Sequence, residues 1–167
     1  MSQQTQDSAS PAYRVHITVS VIIEHHGRLL MVEEPNEDQN NRLVFSMPTG
    51  HVDDGEDLLN AAIREAKEET GCAVVTLDNL VGIYDYVKAA DRETILRFCF
   101  SGHLPEPVPE TFNPQDPAQE IRGARWYTHD ECYEKRAMWR SRLVGRCLDD
   151  YFAGQRLPLT AVRVVLP

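Results

Sequence analysis

A chain of 167 residues, 42% of them hydrophobic, is long enough to bury a sizeable core and short enough for one domain. Its formal net charge of −9 argues against a polymeric nucleic-acid partner, because a phosphate backbone needs a broad basic surface, and leaves small phosphate compounds open. No apolar run is long enough to span a membrane. Residues 1 to 12, MSQQTQDSASPA, contain no apolar secretory core and read as a disordered tail, with residues 13 to 167 as a single domain.

Tyr13 to Ile23 alternates strictly and predicts a strand, with Tyr13, Val15, Ile17, Val19, Val21 and Ile23 on one face and Arg14, His16, Thr18 and Ser20 on the other. The polar face either lines a pocket, which makes Arg14 and His16 substrate-binding candidates, or simply meets solvent. Glu24 to Gly27 makes a turn in which His25 and His26 are solvated, and Arg28 to Glu33 returns as a second strand. Pro35 to Arg42 is polar and loop-like. A short strand from Leu43 to Ser46 then delivers the chain to Pro48 and Gly50.

The run Asp57 to Thr70 lacks Gly and Pro and is rich in Ala, Leu, Glu and Lys, which predicts a helix capped by Asp57 and ended by Gly71. At about 100° per residue, Leu58, Leu59, Ala62, Ile63 and Ala66 form its core face. Glu65, Glu68 and Glu69 share an adjacent arc, since spacings of three and four bring side chains together. Carboxylates within about 6 Å of one another repel by roughly 3 kcal/mol per pair at an effective dielectric of ~20, so positive charge belongs there. Arg64 can neutralise one of them. A divalent cation can serve all three, and all-oxygen donors favour Mg²⁺ or Mn²⁺. Gly50 and Gly55 let the preceding backbone approach the same site, where a carbonyl can complete the coordination.

Ala73 to Thr76 and Leu80 to Val87 read as two strands split by an Asp78-Asn79 turn, and Thr94 to Ser101 as another. Arg97 lies within that apolar strand and needs a partner, either a core carboxylate or a substrate phosphate. Pro105 to Gln119 carries five prolines and cannot be regular structure. Glu120 to Tyr127 is the last clear strand. Thr128 and Glu131 form a capping box for a short helix, and Ser141 to Ala153 is a longer one ended by Gly154. Residues 122 to 146 hold seven of the 17 Lys and Arg side chains against three acidic ones, the best candidate for a cationic rim. Cys72, Cys99, Cys132 and Cys147 have no metal-type spacing and sit in apolar patterns, as expected of buried free thiols in a reducing cytoplasm. Strands on either side of a central helix, followed by a terminal helix, predict an α/β fold with a mixed sheet covered on both faces.

The spacing Gly50, Glu56, Arg64-Glu65-Ala66, Glu68-Glu69, Gly71-Cys72 resembles the signature of the Nudix hydrolases. The stretches HITVSVII, LLMVEE, MPTGHVDDGE, ILRFCF, ARWYTHDE and AGQRLPL, over about residues 15 to 159, look most like the NudJ-type phosphatases of that family, with Thr49 where relatives commonly carry Ala. The resemblance implies an α/β/α sandwich around a central mixed sheet and a magnesium- or manganese-dependent hydrolase of acid anhydrides. By similarity the Gly50 carbonyl and the carboxylates of Glu65, Glu68 and Glu69 are the metal ligands, and Arg64 orients a glutamate. Two bases are open, Glu65 and Glu120, the latter in the loop before the strand that ends near Trp126. NudJ-type relatives act on nucleoside tri- and diphosphates and on thiamine-related pyrophosphates. The implied partner is a small-molecule phosphoanhydride, acted on by a monomer or homodimer. Competing readings keep the fold but make it a sugar-nucleotide or dinucleotide pyrophosphatase, or a nucleotide-binding module that does not hydrolyse. Such modules typically lose carboxylates of the signature, and Glu65, Glu68 and Glu69 are all present here.

Overall fold

The computed structural model describes residues 14–36, 40–89 and 93–165. The tail expected at residues 1–12 lies outside the described residues. Strand β1 (Val15–His25) is the axis of the fold. It pairs in parallel with β6 (Thr94–His103), and antiparallel with β2 (Arg28–Asn36) at one end and β4 (Thr49–His51) at the other. With β3 (Arg42–Ser46), β5 (Thr76–Val87) and β8 (Leu157–Pro158), the sheet order is β3-β2-β1-β6-β5-β8, β4 joining β1 and β7 (Gly123–Thr128) joining β2. Because β1 is hydrogen-bonded along both edges and covered on both faces, all residues from Thr18 to Ile23 are buried.

Helix α1 (Leu58–Thr70) covers one face, packing Ala61, Ala62 and Ala66 on Val19, Val21, Ile23 and Phe100. Helices α2 (His129–Glu134) and α3 (Arg142–Phe152) cover the other, where Cys132, Val144, Cys147 and Leu148 meet Ile22, Leu29, Met31 and Cys99. A mixed sheet between helical layers is therefore the architecture, as the sequence predicts. The helix limits also follow local chemistry. Asp57 accepts from the Leu59 and Asn60 N–H groups, Gly71 closes α1 at φ 75°, and the Thr128–Glu131 capping box opens α2.

The structure differs from the sequence expectations in several places. The face of α1 formed by Leu58, Leu59, Ala62, Ile63 and Ala66 does pack on the core, but Leu58, Leu59 and Ile63 are only half-buried there, and the fully buried positions are Ala61, Ala62, Ala66, Glu69 and Thr70. Strand β2 continues through Pro35 and Asn36, which pair with Leu43 and Arg42. There is no turn at Asp78-Asn79: β5 is one strand from Thr76, and register shifts after Leu77 and Leu80 absorb the extra residues as bulges. Finally, β7 starts at Gly123 rather than Glu120, because the Asp116 carboxylate accepts from the Glu120 and Ile121 N–H groups at 2.7 and 3.3 Å and takes them out of the ladder.

Candidate active site

Pairing of β4 with β1 sets Gly50 opposite Val19, and α1 passes directly behind it. The approach is so close that a Cβ on Gly50 would lie 1.9 Å from Cδ of Glu65. Only glycine leaves room for that carboxylate beside the backbone. One turn further along α1, Glu69 is 7% exposed, and its Oε2 accepts a hydrogen bond from the Thr49 N–H at 2.9 Å. Burial pushes the Glu69 carboxyl well above the ordinary glutamate range, and burial also raises that of Glu65.

Arg64 braces this arrangement. Its Nε and Nη2 donate to Glu56 at 2.9 and 2.8 Å, Nη1 donates to Glu65 at 2.8 Å and to Glu68 at 3.3 Å, and Nη2 also reaches the His51 carbonyl at 2.9 Å. The guanidinium thus ties the β4 end to three carboxylates at once, which a point-charged lysine would not do. One cation cannot neutralise them all, and it does not reach Glu69. Gly50, Glu65, Glu68 and Glu69 offer oxygen donors of the kind a hard divalent cation takes, and Glu69 is buried with a backbone N–H as its hydrogen-bond donor; the three carboxylates are not gathered within 4.8 Å of one another in this structure.

In front of Thr49 and Gly50 opens a cleft of about 600 Å³. Its other walls carry the cations Arg97 and Lys88, with His16, His51 and Tyr86 beside them. Arg97 stands next to β1 because β6 runs parallel to it, pairing Arg97 with Thr18. Only 4% exposed, it donates from Nε to Thr18 Oγ1 at 3.3 Å, and among the described residues no carboxylate forms an ion pair with it. Burial lowers its pKa, the field of Glu69 opposing the shift. Burial likewise lowers the pKa of His51, helped by His16, Arg97 and Lys88. A desolvated guanidinium without a counter-ion is costly, and an anion entering the cleft would relieve that cost.

Of the residues singled out from sequence, the structure brings together Gly50, Arg64, Glu65, Glu68 and Glu69, with His16 and Arg97 across the cleft. His16 is also bonded to Glu93 at 2.9 Å. Two residues stand apart. The Arg14 side chain is 75% exposed, lies 3.6 Å from Glu93 and does not line the cleft. Glu120 is exposed in a neighbouring hollow of about 620 Å³ that shares Asn36 and Arg140 with the cleft. Sequence reasoning did not single out His51, Tyr86 or Lys88, and reached Arg140 only as a member of the basic run 122–146. His51 had a signal, its place directly after Gly50; Tyr86 and Lys88 are brought in by strand order, and Arg140 by the segment before Arg142. His25, His26 and Glu106 also gather, with donor atoms within 4.8 Å of one another, at the opposite end of β1 from Gly50.

Comparison with known proteins agrees with this geometry. The NUDIX domain family model matches residues 13–146. Curated relatives named Phosphatase NudJ, from Escherichia coli K12 and Shigella boydii, are 31% identical over 150 residues, covering 90% of this chain and 92% of theirs. A solved NUDIX hydrolase from Nitrosomonas europaea superposes with a TM-score of 0.80 at 35% identity, over 91% of this chain and 98% of that one. The MutT NUDIX hydrolase from Burkholderia pseudomallei shares the fold, with a TM-score of 0.64 at 19% identity over 82% of this chain and 98% of its own. Matched over most of its length in sequence and in fold, the chain belongs to the Nudix hydrolase family, enzymes that cleave pyrophosphate bonds.

Proposed function

We propose that the protein is a Mg²⁺-dependent phosphatase, with Mn²⁺ as a substitute, that cleaves phosphoanhydride bonds of nucleoside tri- and diphosphates or of small diphosphates such as thiamine pyrophosphate. The observation that carries this reading is Arg97, a buried cation on the wall of the cleft with no ion-paired carboxylate among the described residues. Glu69 lies buried behind Thr49, outside the cleft lining, and accepts from its N–H. A magnesium diphosphate supplies the anion that Arg97 lacks.

In this mechanism Arg97 and Lys88 hold the phosphate oxygens and fix the phosphorus against the β4 wall. Glu65, held by Arg64, accepts a proton from the water that attacks phosphorus in line, and Glu120, exposed in the next hollow, is left without that role. When bound, the divalent cation neutralises phosphate charge and makes water more acidic. Its ligands would be the Gly50 carbonyl and the carboxylates of Glu65, Glu68 and Glu69. The complete carboxylate set favours hydrolysis over a non-hydrolytic binding module. The free thiols of Cys72, Cys99, Cys132 and Cys147 support a cytoplasmic setting.

The test is release of phosphate and pyrophosphate from nucleoside triphosphates, nucleoside diphosphates, thiamine pyrophosphate and nucleotide sugars, each with and without Mg²⁺. Metal-dependent release from the first three classes supports the proposal. Turnover of nucleotide sugars alone moves the reading to a sugar-nucleotide pyrophosphatase, and metal binding without any release moves it to a binding module.

A further inference from the structure

The cleft does not end at Arg97. Tyr86, Arg140 and Ser141 line it, and the same three residues line a second hollow of about 660 Å³ on the side of α3. This annex accounts for most of the basic cluster seen in the sequence. It is walled by Arg136, Arg140, Arg142 and Arg146, with Asp149 as its acidic member. The charges do not cancel. Arg140 is paired with the buried carboxylate of Glu34, Arg146 with Asp150 at 3.0 Å, and Asp149 accepts from the Tyr133 hydroxyl at 2.6 Å. Arg136 and Arg142 form no ion pair among the described residues.

The segment that carries these arginines is fixed in place. Arg136 sits in a 3₁₀ turn, Trp139 bridges to Phe45 of β3, and the Arg140 N–H donates to the Phe45 carbonyl at 2.9 Å. Gly145 lets Trp139 pack closely against α3, since a Cβ there would be 2.4 Å from the indole. A fixed backbone keeps the two exposed arginines on one wall, so an anion there has to order only their side chains. Guanidinium groups match phosphate oxygens in a fixed fork, and a phosphate monoester carries about −1.5 to −2 charges, which two free arginines would balance.

We propose that the annex is a specificity subsite for a second phosphate, borne by a nucleotide substrate at a position remote from the diphosphate that is cut. This rests on the hydrolase reading above and narrows it: the preferred substrates are nucleotides phosphorylated at both ends, with Arg136 and Arg142 as the groups that select them. Arg140 and Ser141 mark the passage between the two parts of the site.

AMP and the adenosine 2′,5′- and 3′,5′-bisphosphates contain no anhydride, so calorimetric titration with them reports binding independently of hydrolysis. The expected result is at least tenfold tighter binding of one bisphosphate than of AMP, about 1.4 kcal/mol. In the Arg136→Ala/Arg142→Ala variant that ratio should fall to about one. The Arg136→Lys/Arg142→Lys variant should keep part of it, because charge survives where the fork does not. Equal affinity for AMP and both bisphosphates in the unmodified protein, binding of none of them, or a ratio that survives the double alanine substitution overturns the proposal. Hydrolysis of the substrate panel is scored separately, so failure of the subsite and failure of the hydrolase reading are told apart.

Discussion

The Thr49 N–H donates to Oε2 of Glu69 across 2.9 Å, and this bond joins the short strand β4 to the last turn of α1. It fixes Glu69, the most buried of the three signature glutamates, directly behind the cleft wall, where it has a backbone N–H for a partner and Arg64 does not bond to it.

The substitution Glu69→Gln tests whether that carboxylate serves charge or packing. The amide oxygen can still accept from Thr49, so the fold should persist, while turnover at saturating Mg²⁺ should fall by about 100-fold or more. Relief of a desolvated carboxylate should raise the stability of the metal-free protein by about 1 kcal/mol, or roughly 2–4 °C in Tm. The rise in Tm that Mg²⁺ gives the unmodified protein should largely disappear. Turnover near the unmodified level would refute the metal assignment.

At Gly50 the expectation is a split between activity and stability. A methyl group there would strike the Glu65 carboxyl, the far end of a flexible side chain that can swing aside. Gly50→Ala should therefore cost about 1 kcal/mol or less in stability while lowering kcat about 100-fold, because Glu65 leaves its place. Chemical denaturation and steady-state kinetics on the same preparation read both quantities. Loss of folding in step with activity would show a structural role only.

Arg97 poses the opposite question, whether its unpaired charge is kept for the core or for the substrate. Replacing it by Met of similar length removes a desolvated cation, so stability should be unchanged or improved. KM for the preferred diphosphate should rise about 10- to 100-fold, the worth of one or two charge-assisted hydrogen bonds. A strongly destabilised variant with unaltered KM would assign the guanidinium to the core.

The proline-rich loop is held to α1 at Gly71. Its φ is +75°, and a Cβ would lie 1.9 Å from the Asn113 carbonyl oxygen, while the Gln115 N–H donates to the Glu68 carbonyl at 2.7 Å. Gly71→Ala combines left-handed strain with a clash against backbone and should cost at least about 2 kcal/mol. The loss should appear as a lower denaturation midpoint and as faster amide exchange in residues 113–121. A midpoint like that of the unmodified protein would mean that the loop is not anchored there.

How far a sequence reading reaches is visible along α1. Asp57, Gly71 and the three- and four-residue spacing of Glu65, Glu68 and Glu69 lie within a few turns of one another, so backbone sterics and helix geometry alone place them. The strand at β1 and the capping box at Thr128 were legible for the same reason, but the two faces read from β1 were not borne out, since Val15 and Ile17 are exposed and Thr18 and Ser20 buried. Where long-range pairing competes, local signals mislead. Asp78-Asn79 resembles a turn, yet the ladder with β6 carries through it as a bulge, and Asp116 claims the N–H groups that Glu120 and Ile121 would have given to β7.

From the sequence alone, then, came the layered α/β architecture and the acidic helix face, each set by periodicity and spacing that neighbouring residues share, and beside them the resemblance of its motif to that of the Nudix hydrolases. What only the tertiary structure decided is the wall that faces those acids. Arg97 meets Thr18 because β6 lies parallel to β1, Tyr86 and Lys88 arrive from the end of β5, and Arg140 comes from the segment before α3. Strand order and register are fixed by burial summed over the whole sheet, and a side chain's neighbours across strands leave no mark in the residues beside it.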